Sequence, residues 1–429
     1  MLKRIVDTIP AYAPLRTACQ SATRPVVLLH YTAAPIVGGV EGIMSEQARV
    51  LLAHGVAVSV VAGRGAPQVL VPELDSRHPR VLAVQADLEA GRVPAAFAPL
   101  VETIRHSLAT WLAGFDDPVV LVHNAFTLHK NLALTAALAD LAATGTARFV
   151  AWCHDLAWTN PLYQAALHDG RPWDLLRQPL PGVTYVTISE MRRRELADLF
   201  GWQPSAIQCV PNGIDPARFL GSGPAMVQVA QRLDWTARDL VVLAPVRMTR
   251  RKNLELALAT TAAIKAEGLR PLLVITGPPG PHNPQQDYVA ELYRERQRLG
   301  LAAEVVFLSQ VDWLPDGVSD ELMADLYRWA DALLFPSLQE GFGQPILEAG
   351  LARLPIFCTD LAVLAETGGA DVQYFPADVE PAVLARQILG VLTGAGAPAL
   401  RRRVVQNYSW EAIYQTGLLP LVRYPTFEL

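Results

Sequence analysis

Residues 336–348 read Pro-Ser-Leu-Gln-Glu-Gly-Phe-Gly-Gln-Pro-Ile-Leu-Glu, with carboxylates at Glu340 and Glu348 eight positions apart. Gly341 and Gly343, on either side of Phe342, permit positive φ and let a ligand approach the backbone closely. Pro345 suits the first helical position, where its missing N–H costs nothing. The segment reads as a loop feeding a helix N-terminus, where free N–H groups and the helix dipole favour an anion. A carboxylate in the first turn suits the helix but repels a bare phosphate. Both conditions are met by a ligand with an anionic centre and hydroxyl-rich ends, such as a sugar nucleotide. Arg247 and Lys252, five apart after an apolar run, supply fixed cations. Gly38-Gly39-Val40-Glu41 is a second glycine-rich turn, and His123-Asn124 and His154 each end an apolar run.

These groups need scaffolding, and the chain supplies it as two series of alternating strands and helices. The first comprises strand 26–30, helix 43–54 with Gly55 beyond it, and strands 56–61, 119–123, 149–154 and 183–188. Helix 190–200 follows, with Ser189 as N-cap. The second comprises strand 240–245, helix 254–267, strand 271–276, helix 285–299, strand 304–308, helix 320–330 and strand 332–335. The turn-rich stretch 211–216 breaks the series. Gly213 either supplies positive φ in that turn or, with Asn212, approaches a ligand. The expected fold is α/β, two doubly wound domains facing across a cleft, with ligands beyond the C-terminal ends of the strands. Residues 1–24 show no clear periodicity, and Ser409 reads as an N-cap.

The string Glu340-x7-Glu348 with its internal Gly-Phe-Gly and Pro resembles the donor-site motif of GT4-type retaining glycosyltransferases (glycosyl transferases group 1), which have the GT-B fold. Val210-Pro-Asn-Gly-Ile-Asp215, Gly38–Glu41 and the Arg247/Lys252 spacing are similar to further segments of that family. The resemblance implies two Rossmann-like domains: residues 1–210 on the acceptor side and residues 211–405 binding a nucleotide sugar. It also implies a last helix, 406–429, crossing back to the first domain. It assigns His154, Arg247, Lys252 and Glu340 to catalysis. Gly38, Gly39, Arg247, Lys252, Glu340, Gly341, Phe342, Gly343 and Glu348 would bind the donor, Glu348 at the ribose. His123 and Asn124 fall on the acceptor side. Two positions depart from the family, which usually has Gly where Arg353 and Ser309 stand.

Composition bounds the rest. A chain of 429 residues with 51% hydrophobic content suits two domains with strands buried on both faces. No apolar run reaches the ~18 residues of a membrane span, and no signal peptide is evident, so a cytoplasmic location is expected. Peripheral membrane association and oligomeric state stay open. A net charge of −5 gives no case for nucleic acid. The four cysteines form no paired motif. No Asp-x-Asp follows a strand, since Asp116-Asp117 sits in a turn, so no metal is expected at the diphosphate. The GxGxxG spacing of dinucleotide binders is absent. The expected activity is transfer of a hexose from a UDP- or GDP-sugar to a small-molecule, glycan or lipid-linked hydroxyl with retention, without a tightly bound cofactor. A nucleotide-sugar epimerase or a non-catalytic sugar-nucleotide binder would share these features. A phosphorylase would need pyridoxal phosphate on a lysine, and only Lys252 and Lys265 lie in the second half.

Overall fold

The computed structural model describes residues 23–279, 284–394 and 396–424. The expectation for residues 1–22 lies outside the described residues. The chain divides into two units, one formed by residues through Asn212 together with Ile413 onward, the other by Gly213–Ala412. Among the described residues no helix is long and apolar enough to cross a membrane.

The first unit is a seven-stranded parallel sheet in the order β3-β2-β1-β4-β5-β6-β7. Its strands are β1 (Val26–Thr32), β2 (Val58–Arg64), β3 (Val69–Leu70), β4 (Val119–His123), β5 (Arg148–Cys153), β6 (Val183–Thr187) and β7 (Gln208–Cys209). All seven residues of β1 are buried, as a central strand with helices on both faces requires. Each such Val or Leu contributes about 1.5–3 kcal/mol. The first helix, Gly39–Ala53, begins four residues before the expected Ile43, because Gly38 takes the N-cap. Helix Glu190–Phe200 is capped by Ser189, whose hydroxyl accepts from Arg192 N, and it matches its expected bounds.

The second unit repeats this plan with six parallel strands in the order β10-β9-β8-β11-β12-β13. They are β8 (Leu240–Ala244), β9 (Pro271–Ile275), β10 (Val305–Phe307), β11 (Ala332–Phe335), β12 (Ile356–Thr359) and β13 (Gln373–Phe375). In both sheets the chain starts in the middle, winds one way, then returns to wind the other. The order reverses between β1 and β4 in the first sheet and between β8 and β11 in the second. In open sheets of this kind ligands bind at the switch point, beyond the C-terminal ends of the two central strands.

Ser409 caps the helix Trp410–Ile413, accepting from Ala412 N at 3.3 Å. Gly213 is a correction to the turn expectation: it is not in the left-handed region. A Cβ there would lie 2.7 Å from the Trp410 ring, so glycine is required by packing.

Candidate active site

In the second unit the loops after β8 and β11 meet. Leu338 N donates to Arg251 O at 2.7 Å, and Arg251 Nη1 donates to Gln339 O at 3.1 Å. These two bonds staple the post-β11 loop to the tight turn Arg250–Lys252. The staple brings Lys252 Nζ onto Glu340 Oε1, with Arg251 Nη1 3.7 Å from Glu340 Oε2. The side chains of Lys252 and Glu340 are only 10% and 9% exposed. Lys252 also lies 5.2 Å above the Phe335 ring. Burial pulls the Lys252 amine below its ordinary value, and the Glu340 carboxylate pulls it back up. Arg247 is exposed, and among the described residues its guanidinium makes no hydrogen bond or ion pair.

Behind these loops the backbone is tightly packed. Met248 N donates to Pro278 O at 3.1 Å. A Cβ on Gly277 would sit 2.3 Å from Val246 O, so the loops after β8 and β9 approach this closely only with glycine. Ser309, one of the two departures, donates its hydroxyl to Gly277 O at 2.9 Å and braces the same corner.

The helix Gln344–Leu351 starts at Gly343, which adopts φ 93° as N-cap. Gln344 is the first helical residue and Pro345 the second, so the expected position of Pro345 shifts by one. Glu348 consequently falls beyond the first turn and is not a dipole-stabilising cap residue. It is held instead by Tyr327, whose hydroxyl donates to Glu348 Oε2 at 2.6 Å. Tyr327 is buried on the helix Asp320–Trp329; burial, then the Glu348 carboxylate, push its phenol up. Of the two glycines that permit positive φ, Gly343 uses it and Gly341, which stands in open space, does not. Phe342 is exposed, and its carbonyl accepts from Thr367 Oγ1 at 3.2 Å.

In the first unit, His123 ends β4 and His154 follows β5, on neighbouring strands. His123 Nδ1 and His154 Nε2 are 3.0 Å apart. Asn124, at φ 62°, turns its side chain inward: Oδ1 accepts from His154 N at 2.8 Å and Asp155 N at 3.2 Å. Desolvation holds His154 down at about 4 and His123 well below the usual imidazole range. Glu41 accepts from Thr32 Oγ1, and its carboxylate lies where a Cβ on Gly38 would be. Gly38 thus rides over Glu41 at the start of the helix, whereas Gly39 stands in open space.

Two family models match the chain: Glycosyltransferase Family 4 over residues 37–218 and Glycosyl transferases group 1 over residues 229–408. The chain belongs to the GT4-type glycosyltransferases. It is 24% identical to the MMP alpha-(1->4)-mannosyltransferase of Mycolicibacterium hassiacum over 90% of this chain and 95% of that protein. It is also 24% identical to the mannosylglucosylglycerate synthase of Petrotoga mobilis, over 58% of this chain and 60% of the synthase. Among solved structures, Anabaena Alr3699/HepE in complex with UDP is 17% identical, covering 92% of this chain and 99% of that one, at a TM-score of 0.34.

For this GT4-type chain, Lys252, Glu340 and Arg251 form one cluster in the second unit, and His123, Asn124 and His154 form another in the first. Glu348 makes its own contact with Tyr327. Sequence reasoning missed Tyr327, Arg251 and His30. Tyr327 lies 21 positions from Glu348 on another helix. His30 was visible only as a polar residue inside the apolar run of β1.

Proposed function

We propose that the protein transfers a hexose from a nucleoside-diphosphate sugar to a hydroxyl acceptor, with retention of configuration. The observation that carries this reading is the buried Lys252–Glu340 pair, held by the Arg251 staple where the second sheet reverses its strand order. A cation and a carboxylate kept together there suit a diphosphate joined to a polyol. Arg247 and Lys252 neutralise the departing diphosphate, Glu340 takes sugar hydroxyls and Glu348 takes the ribose. At an effective dielectric of ~20, a cation ~4 Å from a phosphate charge contributes about 4 kcal/mol as a bare Coulomb term. Only the increase on bond breaking lowers the barrier, and about 1.4 kcal/mol of it is already tenfold. In the reaction the anomeric carbon loses its bond to the diphosphate oxygen and gains one to the acceptor oxygen on the same face. The acceptor proton passes to the leaving phosphate. Protein cations do the work of a metal in this reading, so activity is expected to survive chelators. The mannosyltransferase relative supports a hexose as the group moved.

The test is a thermal-shift screen across UDP, GDP, ADP and their sugars, followed by product analysis with the donor that binds. Donor at 100 times its dissociation constant stabilises by about 2.7 kcal/mol. Binding with acceptor-dependent release of nucleotide and an unchanged anomeric configuration is expected. No shift with any nucleotide, or release of an epimerised sugar without acceptor, would sink the proposal.

A further inference from the structure

β1, β4 and β5 are parallel neighbours, so residues at equal height form a row across the sheet. Near their C-terminal ends these strands carry three imidazoles: His30 on β1, His123 on β4 and, two residues beyond the Trp152 that pairs with His123, His154 just past β5. The ring centroids of His30 and His123 are 6.4 Å apart, and those of His123 and His154 are 5.3 Å apart. Two hydrogen bonds tie the row together. His30 Nδ1 lies 2.9 Å from His123 O, and His123 Nδ1 lies 3.0 Å from His154 Nε2.

Elementary donor and acceptor rules assign the hydrogens. A carbonyl only accepts, so His30 Nδ1 carries the proton, and Nε2 of the neutral ring is a bare lone pair. Burial lowers all three imidazoles, in keeping with neutral rings. His123 Nε2 is enclosed and has no partner among the described residues. An enclosed N–H without an acceptor is the costlier orphan. His123 therefore keeps its proton on Nδ1 and donates it to His154 Nε2, leaving the His154 proton on Nδ1. Neither His30 Nε2 nor His154 Nδ1 is enclosed, and neither has a partner among the described residues. Glu41, which acts on His30 electrostatically, is engaged by Thr32. The row thus presents a lone pair and an N–H from the two rings that flank His123, complementary to hydroxyl groups that both donate and accept.

We propose that His30 binds a substrate hydroxyl through Nε2, in company with the His154 N–H, and that His123 is the positioning residue that orients both rings. The carbonyl of His123 fixes His30, and its Nδ1–H fixes His154. This rests on the transferase reading above, because the hydroxyls are those of its sugar or acceptor.

The test has two arms on the full chain. Long-range 1H–15N NMR of histidine-labelled protein reads the tautomers without any substrate. His30 and His154 are expected as Nδ1–H forms; an Nε2–H form at either overturns the proposal. The second arm compares His30→Asn, His123→Asn and His123→Leu. Asparagine keeps a donor near the Nδ1 position, so His30→Asn retains the bond to His123 O but lacks Nε2. We expect kcat/KM for the sugar nucleotide to fall about 10-fold in His30→Asn and His123→Leu, the size of one lost hydrogen bond. His123→Asn should stay within about 3-fold of wild type on the same scale. Affinity for the nucleoside diphosphate alone should be unchanged in all three. Wild-type kinetics in His30→Asn or His123→Leu overturns the proposal. A wild-type protein that turns over no sugar nucleotide overturns the transferase reading, and the substrate contacts fall with it.

Discussion

Tyr327 donates its hydroxyl to one oxygen of Glu348 at 2.6 Å, from a buried position on a different helix. The bond fixes the carboxylate and leaves its other oxygen for a ligand. Tyr327→Phe removes the bond and keeps the ring packing. Affinity for nucleoside diphosphate should fall about 3- to 10-fold, as for one hydrogen bond, with kcat nearly unchanged. The loss should vanish for the 2′,3′-dideoxy nucleotide if Tyr327 acts through Glu348 on the ribose. Equal losses for both ligands would show a merely structural role.

The Lys252–Glu340 pair is almost fully buried, so removing one partner leaves the other charge stranded. Breaking a buried pair costs about 3–5 kcal/mol, while replacing both partners with apolar residues is often near neutral. Lys252→Met should therefore destabilise the protein more than Lys252→Met combined with Glu340→Leu. The half-exposed Arg251 compensates only in part. Urea unfolding of the single and double variants decides; a double variant less stable than Lys252→Met refutes the argument. Both should lose activity.

Arg353 ends the helix Gln344–Leu351 with φ 59°, a left-handed conformation that disfavours a residue with a Cβ. The family usually has glycine there. Arg353→Gly should stabilise the protein by about 1 kcal/mol. A lower unfolding midpoint for the variant would contradict this.

Three glycines around the site should respond in order to one added methyl. Gly341 stands in open space, so Gly341→Ala should change stability by less than about 0.5 kcal/mol. Gly343→Ala combines φ 93° with a Cβ 2.6 Å from Leu364 Cδ2, a flexible neighbour. Gly277→Ala drives a Cβ into the Val246 backbone and should be the worst, costing about 3 kcal/mol or more. Thermal melts of the three alanine variants check the ranking.

Acid should destabilise the histidine row. His154 titrates near 4 in the native protein, against 6.5 for an unburied imidazole. Between those values the unfolded chain binds a proton that the native protein refuses, so stability falls as pH drops from 6.5 towards 4. The loss from His154 is on the order of 3 kcal/mol and levels off below pH 4. His30 and His123 are lowered too and act in the same direction. Replacing His154 with Asn should flatten this limb of the stability profile; an unchanged acid limb would refute the assignment.

Much of this molecule was legible in one dimension. Central strands buried on both faces appear as short unbroken apolar runs, which is why β4 and β11 were located to the residue. Helix Glu190–Phe200 was equally clear, because Ser189 announces its start. The helix Leu132–Thr144 was overlooked, since burial on nearly every side removes the polar stripe that marks a helix. The edge strands β3, β7 and β13 went unread, because two or three residues are too few to show a period, and the interior strand β12 was missed as well.

The site divides in the same way. Residue types and local spacing, such as the two glutamates, the Arg247/Lys252 pair and the strand-end histidines, belong to the sequence alone. Which of them touch was decided by strand order. Lys252 and Glu340 lie 88 positions apart and meet because their loops leave adjoining strands. His30 and His123 come together because β1 and β4 are parallel neighbours, and His154, two residues past the Trp152 that pairs with His123, is reached through its side chain. The need for glycine at 213 and 277 comes from neighbours distant in the chain, not from local turn geometry. A linear sequence records conformational preference one residue at a time, whereas proximity is created only when two buried sheets impose their order.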